Sequence, residues 1–214
     1  TMTYHSSGNP LTIRGPMGWN VASTYYSDGR LHTFRDAEGN NWSYTYTPDG
    51  LVRTIRDPNG YSVSFTYDSV GNRKTMTDRR GKTYDFDWTP LRQISSIDLP
   101  GSTSINFIYN GNGFLTSVTD PNGNTTKYLP DIYGRTTKVT NPAGYSVNYG
   151  FDVASRVTNA SDIHGSTSYS YNDSAKTVTI NAPDGGVTRM TYNVFGLLVQ
   201  AKDPMDRVTS YLYD

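Results

Sequence analysis

The sequence predicts an all-β protein built from repeated antiparallel β-hairpins of about 21 residues each, which form a long, twisted, spiralling ribbon. Three observations predict this fold. An aromatic cassette recurs with a fixed period, two glycine-containing turn signals interrupt each period, and apolar residues alternate with polar ones between the turns. A fixed period along a whole chain is typical of stacked-repeat proteins. Residues 1–214 are therefore predicted to be one continuous array of about ten repeats, cut from a larger protein.

One position, usually tyrosine, marks each repeat and is called the anchor here. Nine of the ten intervals between anchors are 21 residues, and only the interval from Phe151 to Tyr171 is 20 residues. Tyrosine suits this position because its ring buries apolar area while its hydroxyl keeps a hydrogen-bond partner. The anchors are Tyr4, Tyr25, Tyr46, Tyr67, Trp88, Tyr109, Pro130, Phe151, Tyr171, Tyr192 and Tyr213.

Two turn signals of the form Asp-x-x-Gly divide each repeat. Asp68 and Gly71 bound the clearest first turn, and the second turn reads Asp-Pro-Asn-Gly at residues 57–60 and again at residues 120–123. The aspartate can accept hydrogen bonds from the turn's own amides, and glycine suits the last position. Two segments of about six residues remain, which is an ordinary strand length. Each repeat is therefore predicted to be a β-hairpin.

The strand that returns to the anchor alternates with a period of two, with apolar residues two positions before the anchor, except at Ser23, and four positions before it in most copies. Side chains alternate across a strand, so these residues share one face of the sheet. The outgoing strand has apolar residues six and nine positions after the anchor, and this change of parity predicts a bulge or a turn residue between them. We expect equivalent aromatics, such as Phe65, Phe86 and Phe107, to line up on neighbouring strands.

Composition excludes several classes of partner. Lys plus Arg equals Asp plus Glu at 19 each, so the chain lacks the positive charge that draws proteins to nucleic acid. No apolar run is long enough to span a bilayer, and no polybasic segment indicates a membrane surface. Cysteine is absent, which excludes disulfides and thiolate metal sites. We predict no nucleic-acid partner and no membrane insertion, and the first residues show no signal peptide.

No catalytic, cofactor-binding or metal-binding residue is predicted. The second-turn aspartates are the strongest metal candidates, but capping of their own turns accounts for them better, since copies lie about 10 Å apart. Asp85 and Asp87 are better explained as a solvated strand face than as a hydrolytic pair. His5, His32 and His164 fall at different repeat phases and indicate no metal cluster or triad. The aspartate column comprises Asp36, Asp57, Asp78, Asp120, Asp162 and Asp203.

Exposed aromatic rings are the remaining candidates for ligand binding, because tyrosine and tryptophan faces can stack on sugars. Trp42 and Trp88 lie at apolar-column phases, which favours a packing role for both. Trp19 lies at a junction between a turn and a strand and is less easily assigned. Glycans therefore stay on the list of expected partners.

These cassettes resemble the YD repeat, or Rhs repeat, of Rhs proteins, Tc-toxin shell components and teneurins. The resemblance rests on Tyr67-Asp68 with Gly71, on Asp131 with Gly134 and Arg135, on residues 151–156, and on the Asp-Pro-Asn-Gly turns. It covers essentially the whole chain. In that family the hairpin ribbon spirals into a hollow shell that encloses a toxic effector, or forms an adhesion scaffold. Carbohydrate binding has also been associated with the family.

The resemblance implies a non-catalytic wall segment of an encapsulating shell or surface scaffold, in a secreted or cell-surface bacterial protein of toxin type. Its expected partners are other parts of the same polypeptide, namely the effector cargo and the core or plug region. A carbohydrate-binding or adhesion module is the alternative, and a selected hydrolytic activity is a third, weakly supported one. Because uncapped sheet ends are templates for pairing, we also expect end-to-end self-association or frayed termini.

Overall fold

The computed structural model describes residues 1–213, and these residues form β-strands and turns. The fold class is the one predicted, all-β and antiparallel. The strands are β1 Met2–Tyr4, β2 Pro10–Arg14, β3 Asn20–Tyr25, β4 Leu31–Arg35, β5 Asn41–Tyr46, β6 Val52–Arg56, β7 Ser62–Tyr67, β8 Arg73–Thr77, β9 Thr83–Trp88, β10 Ile94–Leu99, β11 Thr103–Tyr109, β12 Leu115–Thr119, β13 Thr125–Pro130, β14 Thr136–Thr140, β15 Ser146–Phe151, β16 Val157–Asp162, β17 Gly165–Asn172, β18 Thr177–Asn181, β19 Val187–Tyr192, β20 Leu198–Lys202 and β21 Val208–Ser210.

The chain divides into two compact units, Thr1–Asn106 and the residues from Phe107 onward. In the first unit each strand from β1 to β10 pairs with the next, and β10 pairs with the beginning of β11. In the second unit the strands from β12 to β21 pair in the same sequential order. Neighbours in sequence are therefore neighbours in the sheet, as the repeat requires.

The turns have the geometry that their sequence predicts. In the second turn at Asp57, the Gly60 amide donates to the Asp57 carbonyl at 3.0 Å, and the Asp57 amide donates to the Tyr61 carbonyl at 2.9 Å. Gly60 has φ of 86° and Gly71, in a first turn, has φ of 87°. Glycine adopts this left-handed conformation without the strain that a β-carbon adds. Five turns elsewhere place Arg92, Ser102, Ser155, Lys176 or Asp206 in this region.

The predicted parity change is confirmed as a β-bulge. Thr24 pairs with Thr33, whereas the next residue, Tyr25, pairs with Leu31, so His32 is the extra residue. The same irregularity recurs at Tyr46, where the partner is Val52, and at Tyr67. A bulge moves the following side chains to the other face, which explains why the two apolar columns differ in parity.

Direct stacking of equivalent aromatics was expected, and the structure corrects it. Phe65 pairs with Met76, and Met76 pairs on its other side with Tyr84, two residues before Phe86. The apolar row is therefore staggered by two residues at each hairpin. The cause is the difference in register between the two turn types, which moves each return strand along its neighbour.

The repeat of 20 residues owes its length to one shortened turn. Asp162 pairs directly with Gly165, so only Ile163 and His164 remain in that loop, against three residues in the Asp57 turn. The following hairpin also differs, because Tyr171 pairs with Val178 in unbroken register and shows no bulge. Repeat length and strand register can therefore change locally while the anchor position is kept.

The two faces of the sheet differ in character. Threonine hydroxyls meet across strands on one face, as in the 2.7 Å contacts of Thr24 with Thr33 and of Thr66 with Thr75. The other face carries the apolar columns. Among residues 1–213 no hydrophobic side chain is buried, and Asp57 is the one buried polar residue. The same residues contain no helix long and apolar enough to cross a bilayer.

Candidate functional site

The most regular site in the chain is the contact that joins one hairpin to the hairpin before it. Six anchors donate a side-chain hydrogen bond to the carbonyl of the first residue of an earlier outgoing strand. Tyr46 donates to Leu31 at 2.9 Å and Tyr67 donates to Val52 at 2.7 Å. The accepting carbonyls lie at the start of the strand, beside the bulge where one is present. The other four pairs are Tyr25 with Pro10, Trp88 with Arg73, Tyr171 with Val157 and Tyr213 with Leu198.

The hydroxyls of Tyr46 and Tyr171 are held in their neutral, donating form. Burial raises the pKa of Tyr46 and of Tyr171 above the ordinary value for tyrosine. A neutral phenol donates one hydrogen bond, and a carbonyl left without a partner would be costly in a partly dry environment. Tyr46 and Tyr171 therefore bind neighbouring backbone and are not arranged as acid–base groups.

An arginine after the first turn makes the second contact between hairpins. Arg135 Nε donates to Asp131 Oδ2 at 2.7 Å, and Arg135 Nη1 donates to the Asp152 carbonyl in the next first turn at 3.0 Å. The guanidinium also lies 4.9 Å from the centre of the Phe151 ring, the next anchor. A cation above an aromatic ring is stabilised by the charge distribution of the ring. One side chain thus holds its own turn, the next turn and the next anchor.

The same arrangement occurs around Arg30 and Arg156. Arg30 Nη1 donates to the Thr47 carbonyl at 3.2 Å and lies 4.9 Å from the Tyr46 ring centre. Arg156 lies 4.3 Å from the Tyr171 ring centre and donates to Asp173 at 2.5 Å. We call this set of anchor hydrogen bonds and arginine contacts the inter-repeat brace.

Asp36, Asp120 and Asp152 are stabilised in their charged form by the turns that they begin. The Asn40 side chain lowers the pKa of Asp36, the Asn124 side chain lowers that of Asp120, and the backbone amide of Arg156 lowers that of Asp152. Each carboxylate accepts hydrogen bonds from two turn amides, such as those from Asn122 and Asn124 to Asp120 at 2.9 Å. This is the capping role that the sequence favoured over metal binding.

The second-turn aspartates are not brought together into a site. Each accepts amide hydrogen bonds within its own turn, although Asp162 accepts one, from the His164 amide, because its loop is shorter. Within residues 1–213 no group of three or more His, Cys, Asp or Glu side chains is placed to hold a metal ion. Asp85 pairs across the sheet with Asp98, and Asp87 accepts a hydrogen bond from Ser96 at 2.9 Å.

The three histidines lie in different hairpins. His5 contacts Ser7 through Nδ1 at 2.8 Å, and His32 packs beside Tyr26 with ring centres 4.6 Å apart. His164 lies in the shortened turn and lines a cavity of about 480 Å³ with Tyr145 and Val147. None of the three is positioned by a carboxylate as a general base would be, within the described part of the chain.

The tryptophans have three different environments. Trp88 fills an anchor position, and its indole Nε1 donates to the Arg73 carbonyl at 2.7 Å in place of a tyrosine hydroxyl. Trp19 lies directly over Gly15, where a β-carbon would come within 1.9 Å of the indole. Trp42 packs beside Phe34, with ring centres 5.9 Å apart, and also lines a cavity that contains Asp57. Trp42 is thus the tryptophan with polar neighbours in a cavity.

Sequence reasoning missed two features of this site. The cassette includes an arginine five residues after the anchor, as at Arg135 and Arg156, but the sequence pattern does not predict its contacts with the next copy. The unusual environment of Asp57 was also missed, although the residue four positions after each turn aspartate gives the signal. That residue is asparagine or arginine in most copies and is Tyr61 after Asp57.

Comparison with known families agrees with the resemblance read from the cassettes. The fold and its braces define a repeat protein made of antiparallel hairpins joined copy to copy. Residues 46–83 and 109–146 match the family model described as RHS Repeat. The chain is thus identified as carrying RHS repeats at these two sites. No curated protein matches the chain.

Solved structures of Tc toxins share the fold. A crystal structure titled TcdB2-TccC3-TEV matches with a TM-score of 0.74 and 13% identity over 94% of this chain and 12% of that chain. A crystal structure of TcdB2-TccC3 matches with a TM-score of 0.58 and 14% identity over 98% of this chain and 16% of that chain. A structure of the Photorhabdus luminescens Tc holotoxin pore matches with a TM-score of 0.54 and 13% identity over 95% of this chain and 16% of that chain. The chain therefore spans less than a fifth of the structures that it resembles.

Proposed function

We propose that this chain is a non-catalytic structural segment that forms part of the wall of an encapsulating shell, or of a surface scaffold, in a toxin-type protein. The observation that carries the proposal is the inter-repeat brace. Six anchors bind the backbone of a neighbouring copy, and Arg30, Arg135 and Arg156 contact its turn or its anchor ring, which is what a continuous wall requires. In this proposal residues 1–214 act as one array of about ten repeats.

Two further observations support a wall. The apolar face has no buried hydrophobic side chain in residues 1–213, so this face has room for a covering partner. The structural neighbours are Tc toxin complexes, and proteins of that kind are secreted or surface-associated. The proposed partners are other parts of the same polypeptide, namely its cargo and its closing region, and the proposed location is outside a bacterial cell or at its surface.

The exposed terminal strands support a further part of this proposal. All residues of β1 and β21 are exposed, and each of these strands pairs on one side only. Unpaired strand edges are templates for pairing with other strands. We propose that the ends of the chain associate end to end. Light scattering that shows a monomer at high concentration would contradict this part.

Protease protection of the native polypeptide that contains this chain tests whether the repeats form a wall. Segments adjoining the repeats should resist protease in the wild type and become cleavable when Arg135 and Arg156 are both replaced by alanine. Lys74→Ala, a change at an exposed strand position, is the matched control and should leave protection unchanged. Equal cleavage of the adjoining segments in wild type and variant would overturn the wall.

A second candidate function is carbohydrate binding, and one specific observation favours it. Trp88 is occupied by its anchor hydrogen bond and Trp19 by its contact with Gly15, whereas Trp42 lines a cavity with a carboxylate and a guanidinium. An aromatic ring beside hydrogen-bonding groups is the usual composition of a small polar binding site.

A further inference from the structure

Asp57 departs from the other turn aspartates in both burial and bonding. Its side chain is 5% exposed. Oδ1 accepts hydrogen bonds from the amides of Asn59 at 3.0 Å and Tyr61 at 2.9 Å, as in any capped turn. Oδ2 is buried and accepts no hydrogen bond within the described residues, although Arg79 Nη1 lies 3.2 Å away as an ion-pair partner. A buried carboxylate oxygen with unused lone pairs is costly unless something completes it.

The repeat itself shows what is missing. In three other turns the residue four positions after the aspartate is asparagine, and its side-chain amide donates to Oδ2 at 2.9 or 3.0 Å; these residues are Asn40, Asn72 and Asn124. In three more turns an arginine at that position, Arg135, Arg156 or Arg207, does the same. Tyr61 has no donor that reaches Oδ2, and its side chain is exposed. The free oxygen therefore results from one departure from the repeat pattern.

A second departure from the repeat pattern, Trp42, lies beside Asp57 in the same cavity. Trp42 occupies the position that is valine in other copies, at Val21, Val63 and Val147. Together with Asp57 it lines a cavity of about 270 Å³, whose other walls are Asn40, Pro58, Asn59 and Arg79. These residues come from three successive second turns and one strand, all within the first unit. Trp42 makes a ring contact with Phe34, and no protein group in residues 1–213 accepts a hydrogen bond from its indole nitrogen.

The chemistry of the lining selects a class of ligand. The carboxylate of Asp57 is already balanced by the guanidinium of Arg79, which disfavours an additional cation or anion. What remains is an acceptor, a donor and an aromatic face in close proximity. Adjacent hydroxyl groups can donate to Oδ2 and accept from the guanidinium, while the apolar face of their ring stacks on the indole. A neutral polyhydroxylated ring satisfies all three groups.

We propose that this cavity, the Asp57–Trp42 cavity, binds a single sugar ring, with a hydroxyl on Asp57 Oδ2 and the ring stacked on Trp42. Arg79 covers the carboxylate, and its side chain is 61% exposed, so a small shift of the guanidinium that keeps it beside Asp57 exposes Oδ2 without a change in the strands. The proposal rests on the second candidate function and specifies its site and ligand class. The volume of about 270 Å³ is just below the range of about 300–1,000 Å³ that is usual for ligand pockets, so it limits the ligand to one ring.

The test titrates the intact chain with methyl glycosides of glucose, galactose, mannose and N-acetylglucosamine. The readouts are the ¹H–¹⁵N cross-peak of the Trp42 indole, assigned by its loss in Trp42→Val, and calorimetry. We expect at least one glycoside to shift this cross-peak with a Kd on the order of 1 mM, the affinity that a few contacts provide. Methylammonium chloride and sodium sulfate are the cationic and anionic probes and should leave the cross-peak unchanged.

Three variants separate the site from the fold. Trp42→Val, which copies other repeats, should abolish binding. Asp57→Asn should weaken it about tenfold or more, since a hydrogen bond to a charged group is lost. Asparagine already caps the turn at Asn141 through Oδ1, so Asp57→Asn is expected to fold. Tyr61→Asn supplies the missing donor and should also abolish binding while keeping the turn. Asn124→Gln, in the other unit, is the control that should bind like the wild type.

The outcomes distinguish the sugar site in this cavity from carbohydrate binding elsewhere on the chain. A glycoside that binds with a shift of Trp42, and that Tyr61→Asn no longer binds, supports the cavity. A glycoside that binds in calorimetry without shifting Trp42 overturns the cavity but leaves carbohydrate binding as a function. If no glycoside binds, or if methylammonium or sulfate alone shifts Trp42, the sugar site is overturned. None of these results depends on whether the chain forms a wall.

Discussion

Two second turns of this chain begin with the same four residues, Asp-Pro-Asn-Gly, at residues 57–60 and 120–123, and they differ at the fifth residue. Both have the same loop hydrogen bonds, and in both Oδ1 of the aspartate accepts two backbone amides. The Asn124 side chain donates a hydrogen bond to Oδ2 of Asp120 at 3.0 Å, whereas Tyr61 provides no donor and leaves Oδ2 of Asp57 without a hydrogen bond.

The comparison separates the part of a turn that sets geometry from the part that completes its polar groups. The first four residues determine the path of the backbone, because the aspartate accepts its own turn amides and glycine allows positive φ. The fifth residue does not change that path. It decides whether the second carboxylate oxygen has a hydrogen-bond donor within its own repeat or remains available to another group. One repeat of a regular array can differ in this way from the others.

The largest expected effect is that of pH, because it acts on many capped turns together. The folded-state pKa of Asp36, Asp78, Asp120 and Asp152 is lowered, so the stability they contribute is fully present above the unfolded pKa, near 4. It is lost as pH falls through the lower, folded values. Urea unfolding at about pH 7 and about pH 3 should show a clear loss of stability at the lower pH.

A matched variant shows whether the turns cause this loss. Replacing Asp36 and Asp120 by asparagine keeps an Oδ1 acceptor for the amides, as Asn110 and Asn193 do elsewhere, but removes the titrating group. The double variant should depend less on pH between these conditions. An unchanged pH dependence would mean that the turn carboxylates are not the groups responsible.

Removing one cap should have the next largest effect. Asp120→Ala leaves the amides of Asn122 and Asn124 and the Asn124 side chain without an acceptor, and should lower the free energy of unfolding. Asp57→Ala removes two amide hydrogen bonds and the partly exposed ion pair with Arg79, but no hydrogen bond to Oδ2. It should cost about 1 kcal/mol less, as measured by urea unfolding. Equal losses at the two sites would contradict the difference that the geometry shows.

Exchanging the fifth residues of the two turns, Tyr61 and Asn124, should reverse which aspartate lacks a hydrogen bond to Oδ2. Tyr61→Asn gives Asp57 Oδ2 a donor and should stabilise the chain by about 0.5–1.5 kcal/mol. Asn124→Tyr removes the donor from Asp120 and should destabilise by a similar amount. Chemical denaturation of both single variants and of the double variant measures this. Changes of the same sign in both single variants would show that the size of the side chain matters more than its hydrogen bond.

The smallest expected effect concerns turns that place other residues where glycine is usual. Ser155 has φ of 62°, so Ser155→Gly should relieve left-handed strain and stabilise by about 0.5–1 kcal/mol. Gly196 has φ of 79° and open space around its α-carbon. Gly196→Ser is the reverse change and should destabilise by about 1 kcal/mol. Thermal unfolding of both variants should give shifts of opposite sign.

Much of the fold could be predicted from the sequence because the determining interactions are local. Tyr25 and Tyr46 end strands as the period indicated, the Asp-x-x-Gly segments form hairpin loops, and the parity of the apolar columns located the bulge. Each of these features depends on residues within one repeat. A pattern that repeats every 21 residues therefore predicts them in every regular copy.

The features that could not be predicted depend on how one copy meets the next. The two-residue stagger follows from the registers of two different turns, and sequence spacing alone does not give those registers. The carbonyl that accepts from Tyr67 belongs to Val52 in the preceding copy, and Arg135 reaches the Asp152 carbonyl in the following one. The candidate site at Asp57 could have been found by aligning the residues that lie four positions after each turn aspartate, since most of them are asparagine or arginine and Tyr61 is neither.

The central claim is that each hairpin is held in one staggered register, and cross-strand disulfide formation measures that register directly in a chain without cysteine. Thr66 and Thr75 are paired, with hydroxyls 2.7 Å apart, so the variant with cysteine at both positions should close a disulfide rapidly under mild oxidation. Cysteines at Thr66 and Thr77 lie on a diagonal, too far apart for a relaxed bond, and should stay reduced. Rapid disulfide closure between positions 66 and 77, with the cysteines at 66 and 75 staying reduced, would contradict the register and the architecture that depends on it.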